Sequence, residues 1–198
     1  MTIAAAIFCG GTSRRFGGPK GLAKLGGQSL IERAIGRLRP QVNALALCAG
    51  EDAELYRSIG ATLVPDPLAG KEGPASALLG ALNWAAPEHK WLATAPCDMP
   101  FLPEDLVARL SAEATPDKPC FAASRSGNHY TVALWPTNLL PAVRSLITDR
   151  RERALHRLLT ALSARTCNLD DLNLRTFLNV NSKEDLRAAE ELLTGEDR

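Results

Sequence analysis

Short apolar runs alternate with amphipathic stretches along this chain of 198 residues. Residues 2–8 (TIAAAIF), 44–48 (ALALC), 61–65 (ATLVP) and 90–96 (KWLATAP) are brief, continuous and rich in small or branched side chains. That pattern predicts strands buried on both faces. Between them, residues 29–39 place Leu30, Ala34, Ile35 and Leu38 at helical spacing. Residues 51–59, 75–86 and 103–114 predict three more helices, the last opening on a proline and two acids. Strand and helix in alternation imply βαβ units and an α/β fold: a doubly wound, mostly parallel sheet with helices on both faces.

The second half is less regular. Residues 119–124 and 130–135 predict two strands joined by a hairpin-like turn at Arg125–Asn128, an antiparallel excursion at one edge of the sheet. Residues 139–147 and 152–164 predict helices, residues 175–181 a last extended segment, and residues 182–193 a closing helix capped by Ser182. No repeat or low-complexity linker interrupts the chain, so residues 1–198 are expected to form one domain.

Composition excludes several classes. Hydrophobic residues make up 45% and charged residues 23%, and the formal net charge is +1. That balance predicts no nucleic-acid partner and no membrane association. No apolar run approaches the roughly 20 residues of a membrane-spanning helix, and the apolar start lacks a basic leader. The five cysteines are odd in number and form no C-x-x-C. They predict reduced, buried thiols in a cytoplasmic protein, not a disulfide framework or a zinc site.

The polar loops carry the candidate chemistry. In an open parallel sheet, ligands bind beyond the carboxyl ends of the strands. Four loops here follow predicted strands: CGGTSRRFGGPKG (9–21), AGE (49–51), PDPLAGKEGP (65–74) and PCDMP (96–100). The first fits neither Walker A nor G-x-G-x-x-G. Its backbone N–H groups at Gly10, Gly11, Gly17 and Gly18 are unshielded, and Arg14, Arg15 and Lys20 add positive charge, so it suits a polyphosphate. Asp66 stands where a carboxylate would accept hydrogen bonds from a sugar or base edge. Gly73 opens a helix whose N-terminus would face phosphate. Asp98, held stiffly between Pro96 and Pro100, suits Mg²⁺, which takes one or two protein carboxylates and fills its shell with phosphate and water. His89, His129 and His156 show no metal-ligand spacing, and nothing near Cys97 would activate it as a nucleophile.

Together these loops resemble the nucleotidyltransferases that act on sugar phosphates and cofactors. The stretches FCGGTSRRFGGPKG, VPDPLAGKEGP, APCDMPFLPEDLVARL, HYTVALW and FLNVNSKEDL, running nearly end to end, are most similar to the molybdenum cofactor guanylyltransferases. The resemblance implies a Rossmann-like nucleotidyltransferase fold, with residues 1–114 as the nucleotide-binding half and 115–198 as the acceptor half. It implies transfer of GMP from GTP to molybdopterin, with Mg²⁺ as cofactor and with molybdopterin-delivering and molybdoenzyme-specific proteins as partners. It implies that Phe8, Cys9, Gly10, Gly11, Asp66 and Gly73 line the nucleotide and that Arg15 and Lys20 grip the triphosphate. Asp98 would bind the metal. His129, Asn179 and Asn181, with Arg150, Arg151 and Arg153, would line the pterin side. The chain departs from the family pattern at Pro19, which precedes Lys20 in a loop one residue shorter, at Ala75-Ser76-Ala77, and at His129-Tyr130. The residues alone leave open a cytidylyl- or sugar-phosphate nucleotidyltransferase, or a non-catalytic nucleotide-binding relative.

Overall fold

The computed structural model describes residues 2–10, 16, 18–68 and 73–195, and of residue 174 the backbone alone. Along the chain run β1 (Ile3–Phe8), a small hairpin of β2 (Lys24–Leu25) and β3 (Gln28–Ser29), α1 (Leu30–Leu38) and β4 (Ala44–Cys48). A 3-10 stretch (Gly50–Ile59), β5 (Thr62–Leu63), α2 (Gly73–Ala85), β6 (Trp91–Pro96) and α3 (Leu106–Glu113) follow. The second half holds β7 (Cys120–Ser124), β8 (Gly127–Pro136), α4 (Leu140–Thr148), α5 (Leu155–Ala161), β9 (Arg165–Asn168) and α6 (Lys183–Gly195).

Seven strands form one sheet in the order β5-β4-β1-β6-β8-β7-β9. β1 pairs in parallel with β4 on one side and β6 on the other, Ala5 lying opposite both Leu45 and Ala93. β8 alone runs against its neighbours, antiparallel to β6 and β7. The alanine-rich β1 is central because its small side chains let helices close on both faces. On one face Ala5, Ile7, Leu47 and Ala93 meet Ile31, Ala34 and Leu38 of α1 and Leu106 and Leu110 of α3. On the other, Ala4, Ala6, Ala46 and Leu92 meet Leu78 and Leu82 of α2, Val143 of α4 and Leu158 of α5. Each fully buried Leu or Ile contributes roughly 1.5–3 kcal/mol. α1 starts on a capping box: Glu32 N donates to Ser29 Oγ (3.3 Å) and Ser29 N donates to the Glu32 carboxylate (2.7 Å). Ser29 Oγ also donates to the Glu32 carboxylate (2.6 Å), and this bond, then that from Ser29 N, lowers the Glu32 pKa to about 2.

The mostly parallel, doubly wound sheet agrees with the sequence pattern, and several elements differ in detail. Residues 50–59 wind as a 3-10 helix, because Tyr56 is its one buried side chain and no apolar stripe supports an α-helix. β5 keeps two residues because Pro65 and Pro67 lack the N–H that a ladder needs. The hairpin of β2 and β3 turns on Gly26 (φ +56°) and Gly27 (φ +82°). The expected helix at 152–164 stops at Ala161; Ser163 (φ +51°) turns the chain and β9 adds a parallel edge strand beside β7. The antiparallel β8 therefore lies inside the sheet, and β9 forms the edge. The segment at 175–181 joins no strand: a 3-10 turn (Leu174–Phe177) leads into an arm whose Val180 packs with Leu25, Leu30 and Ala189 in a third apolar cluster. Among the described residues no helix is long and apolar enough to cross a membrane.

Candidate active site

The chain runs outward from β1 through β4 to β5, then crosses back to β6 on the other side of β1. That reversal opens a crevice beyond the carboxyl ends of β1 and β6. A cavity of about 450 Å³ lies there, lined by Phe8, Gly10, Cys48, Asp52, Asp66 and Gly73, among others. Asp66 follows β5. Its Oδ1 is buried with no hydrogen-bond partner among the described residues, and burial raises its pKa. A buried acceptor left open in this way is costly unless a ligand completes it. Gly50 (φ +54°) leaves that floor clear, since a Cβ there would lie 3.0 Å from Asp66 Oδ2.

A second cavity of about 320 Å³ adjoins the first, the two sharing Pro74, Pro96 and Thr131. Asp98, His129, Tyr130, His156 and Asn179 line it. His129 is buried and stacks on Phe177, ring centroids 4.1 Å apart. Its Nε2 and Ser124 Oγ share a hydrogen bond of 2.8 Å. Burial lowers the His129 pKa, so the ring is neutral at pH 7. The ring is thus a rigid, uncharged wall.

Asp98 stands at the second cavity two residues beyond β6. Its Oδ2 is ion-paired with Lys20 Nζ. Its Oδ1 is buried and has no partner among the described residues. Lys20 Nζ also donates to Asn181 Oδ1 (2.8 Å), and Val180 N donates to the Asp98 carbonyl (2.9 Å). The loops after β1 and β6 and the C-terminal arm therefore meet at one carboxylate. Among the described residues no group of three or more His, Cys, Asp or Glu side chains gathers to hold a metal. One carboxylate with an open buried oxygen suits a hard divalent cation that draws its other ligands from phosphate and water.

Most of the expected residues converge. Phe8, Gly10, Asp66 and Gly73 line the first cavity, and His129 and Asn179 the second. Lys20 and Asp98 are in contact. Cys9 lies buried at the end of β1, and its pKa is raised first by a hydrogen bond with Cys97 and then by burial. Burial likewise pushes the Cys48 thiol up to about 12. Neither is a thiolate at neutral pH. Gly11, Arg14, Arg15 and Gly17 lie outside the described residues. Asn181 turns its side chain onto Lys20. Arg153 donates from Nη1 to the carbonyls of Ile147 (2.7 Å) and Glu152 (3.2 Å), bracing the turn between α4 and α5. His156, without signal in the sequence, reaches the second cavity from α5, its ring centroid 5.7 Å from that of Tyr130.

Comparison with known proteins identifies the family and the fold. The model of the MobA-like NTP transferase domain matches residues 5–166. The chain is 38% identical to the molybdenum cofactor guanylyltransferase of Rhodobacter capsulatus over 195 residues, covering 98% of this chain and 97% of that one. It is 33% identical to that of Bradyrhizobium sp. (strain ORS 278), covering 99% and 95%. The fold is similar to that of molybdopterin-guanine dinucleotide biosynthesis protein A from Archaeoglobus fulgidus, with a TM-score of 0.78, 20% identity and coverage of 97% and 99%. It is also similar to a Mycobacterium tuberculosis protein solved in complex with manganese, with a TM-score of 0.70, 16% identity and coverage of 96% and 99%. On the matched domain and the near full-length identity, this chain belongs to the MobA-like NTP transferases, the nucleotidyltransferase family that includes the molybdenum cofactor guanylyltransferases.

Proposed function

We propose that this protein transfers GMP from GTP to molybdopterin, forming the guanine dinucleotide cofactor and releasing pyrophosphate. The observation that carries the reading is the meeting of two cavities beside the Lys20–Asp98 pair at the strand reversal. The first suits a nucleoside and the second an acceptor. Their shared wall at Pro74, Pro96 and Thr131 is where donor and acceptor phosphates would meet.

A bond forms between an acceptor phosphate oxygen and the α-phosphorus as the bond to pyrophosphate breaks. A phosphate monoester is already nucleophilic at neutral pH, so positioning and charge neutralisation supply the catalysis. Asp66 Oδ1 accepts from the nucleoside. Phe8 and Gly10 line the nucleotide, with Cys9 between them in sequence, and the family resemblance extends this role to Gly11. Gly73 begins α2, whose N-terminus faces phosphate. Lys20 and Arg15 offset charge on the triphosphate. Asp98 would hold Mg²⁺ through its open Oδ1, and the ion would supply positive charge that offsets the phosphates. His129 and Asn179 flank the pterin. The odd number of cysteines without C-x-x-C spacing supports a cytoplasmic protein, and we propose molybdopterin-delivering and molybdoenzyme-specific proteins as its partners there.

Thermal-shift titration with GTP and CTP tests the base preference. GTP is expected to stabilise the protein at lower concentration than CTP. Preference for CTP would move the assignment to a cytidylyltransferase of the same fold.

A further inference from the structure

We infer that Asn181 is a positioning residue for Lys20, and that Lys20 guards the metal carboxylate until nucleotide and metal arrive. The inference rests on the functional reading above. Lys20 Nζ lies between two acceptors, Asp98 Oδ2 and Asn181 Oδ1, the latter at 2.8 Å. The Lys20 side chain is 20% exposed and that of Asp98 13%. The ammonium and a cation on Asp98 thus compete for one carboxylate in a poorly hydrated place, where like charges repel strongly.

Asn181 is well placed to resolve that competition. Its backbone N–H donates to Asp185 Oδ2 (2.8 Å), which also accepts from Ser182 N (2.9 Å), while Asp185 N donates to Ser182 Oγ (3.1 Å). The cap of α6 therefore fixes the backbone of Asn181. The preceding residue is doubly anchored: Val180 is fully buried, and its N–H bonds the Asp98 carbonyl. Arm and metal loop are thereby tied together, and the Asn181 amide oxygen offers an uncharged seat for the ammonium. When a cation takes Asp98, Lys20 keeps that seat and stays directed at the phosphates. Without the amide oxygen, the ammonium loses its uncharged acceptor, leans further onto Asp98 and opposes the cation more strongly.

The test measures Mn²⁺ binding to the nucleotide-free protein by electron paramagnetic resonance, alongside steady-state kinetics. Lys20→Met is expected to bind Mn²⁺ more tightly than the wild type while losing turnover. Asn181→Ala is expected to bind Mn²⁺ about tenfold more weakly, the scale of one hydrogen bond to a charged group, and to lose kcat with KM for molybdopterin unchanged. Asn181→Asp, which keeps an acceptor in that seat, is expected to restore Mn²⁺ affinity. The inference is overturned if Asn181→Ala raises KM for molybdopterin and leaves Mn²⁺ affinity alone, since that marks an acceptor contact. It is equally overturned if Lys20→Met does not tighten Mn²⁺. Asp98→Asn serves as a separate arm: undiminished Mn²⁺ binding there would refute the metal assignment itself.

Discussion

Gly80 shows how packing far from the chemistry sets the nucleotide site. It lies within α2, and a Cβ at that position would stand 2.7 Å from the carbonyl oxygen of Pro65, 3.2 Å from Pro67 Cδ and 3.3 Å from Val64 Cγ1. The first of these is too short for any real contact, and its partner is backbone. Pro65 and Pro67 flank Asp66, so the segment that must yield is the one aiming Asp66 into the first cavity. Two terms oppose each other in Gly80→Ala. Helix propensity favours alanine by roughly 0.8–1 kcal/mol. Overpacking costs about 1–3 kcal/mol, more when the obstacle is stiff. The clash wins, because the proline-flanked loop retreats only as a unit. The net loss is about 1–2 kcal/mol, or a fall in Tm of about 2–8 °C for a chain of this size. The displaced Asp66 should also raise KM for GTP. Differential scanning fluorimetry and GTP kinetics on Gly80→Ala check both. A variant with raised Tm and unchanged KM would refute the reasoning, because propensity would then have outweighed the close approach.

Asp66→Asn separates binding from folding. Burial raises the Asp66 pKa, so its charge destabilises the fold above that pKa and the fold gains as pH falls through it; the neutral variant should keep or raise Tm at pH 7 while weakening GTP binding in a titration. Lys20→Ala should cost about 2–4 kcal/mol of transition-state stabilisation, as for one preorganised donor, and an unchanged kcat/KM for GTP would sink its assigned role. The five free cysteines are all buried, so a colorimetric thiol reagent should react slowly with the native protein and fully in denaturant; rapid native labelling of Cys9 or Cys48 would contradict their raised pKa values.

The parallel core was legible because its physics is local. The runs at 44–48 and 90–96 are apolar on both faces, and a strand that reads this way belongs in the middle of a sheet. The loops at strand ends were legible for the same reason: once the strands are placed, the crevice position follows. β9 was not, since Cys167 is its one buried residue and Arg165–Asn168 carries no alternation. It exists because β7 offers an open edge. The 3-10 winding at 50–59 likewise depends on a single anchor, Tyr56. At the site, Asp66 and Asp98 stood out by their proline-bounded loops. His156 and the Asn181–Lys20 contact did not. The latter joins positions far apart in sequence through an arm held by Val180, and nothing local announces it.

The central claim is tested most directly by measuring pyrophosphate release from GTP in the presence of Mg²⁺ and molybdopterin, omitting each component in turn. Release is expected with all three present and is lost when any one is left out. Release without molybdopterin, or none with all three present while GTP still binds, would contradict it.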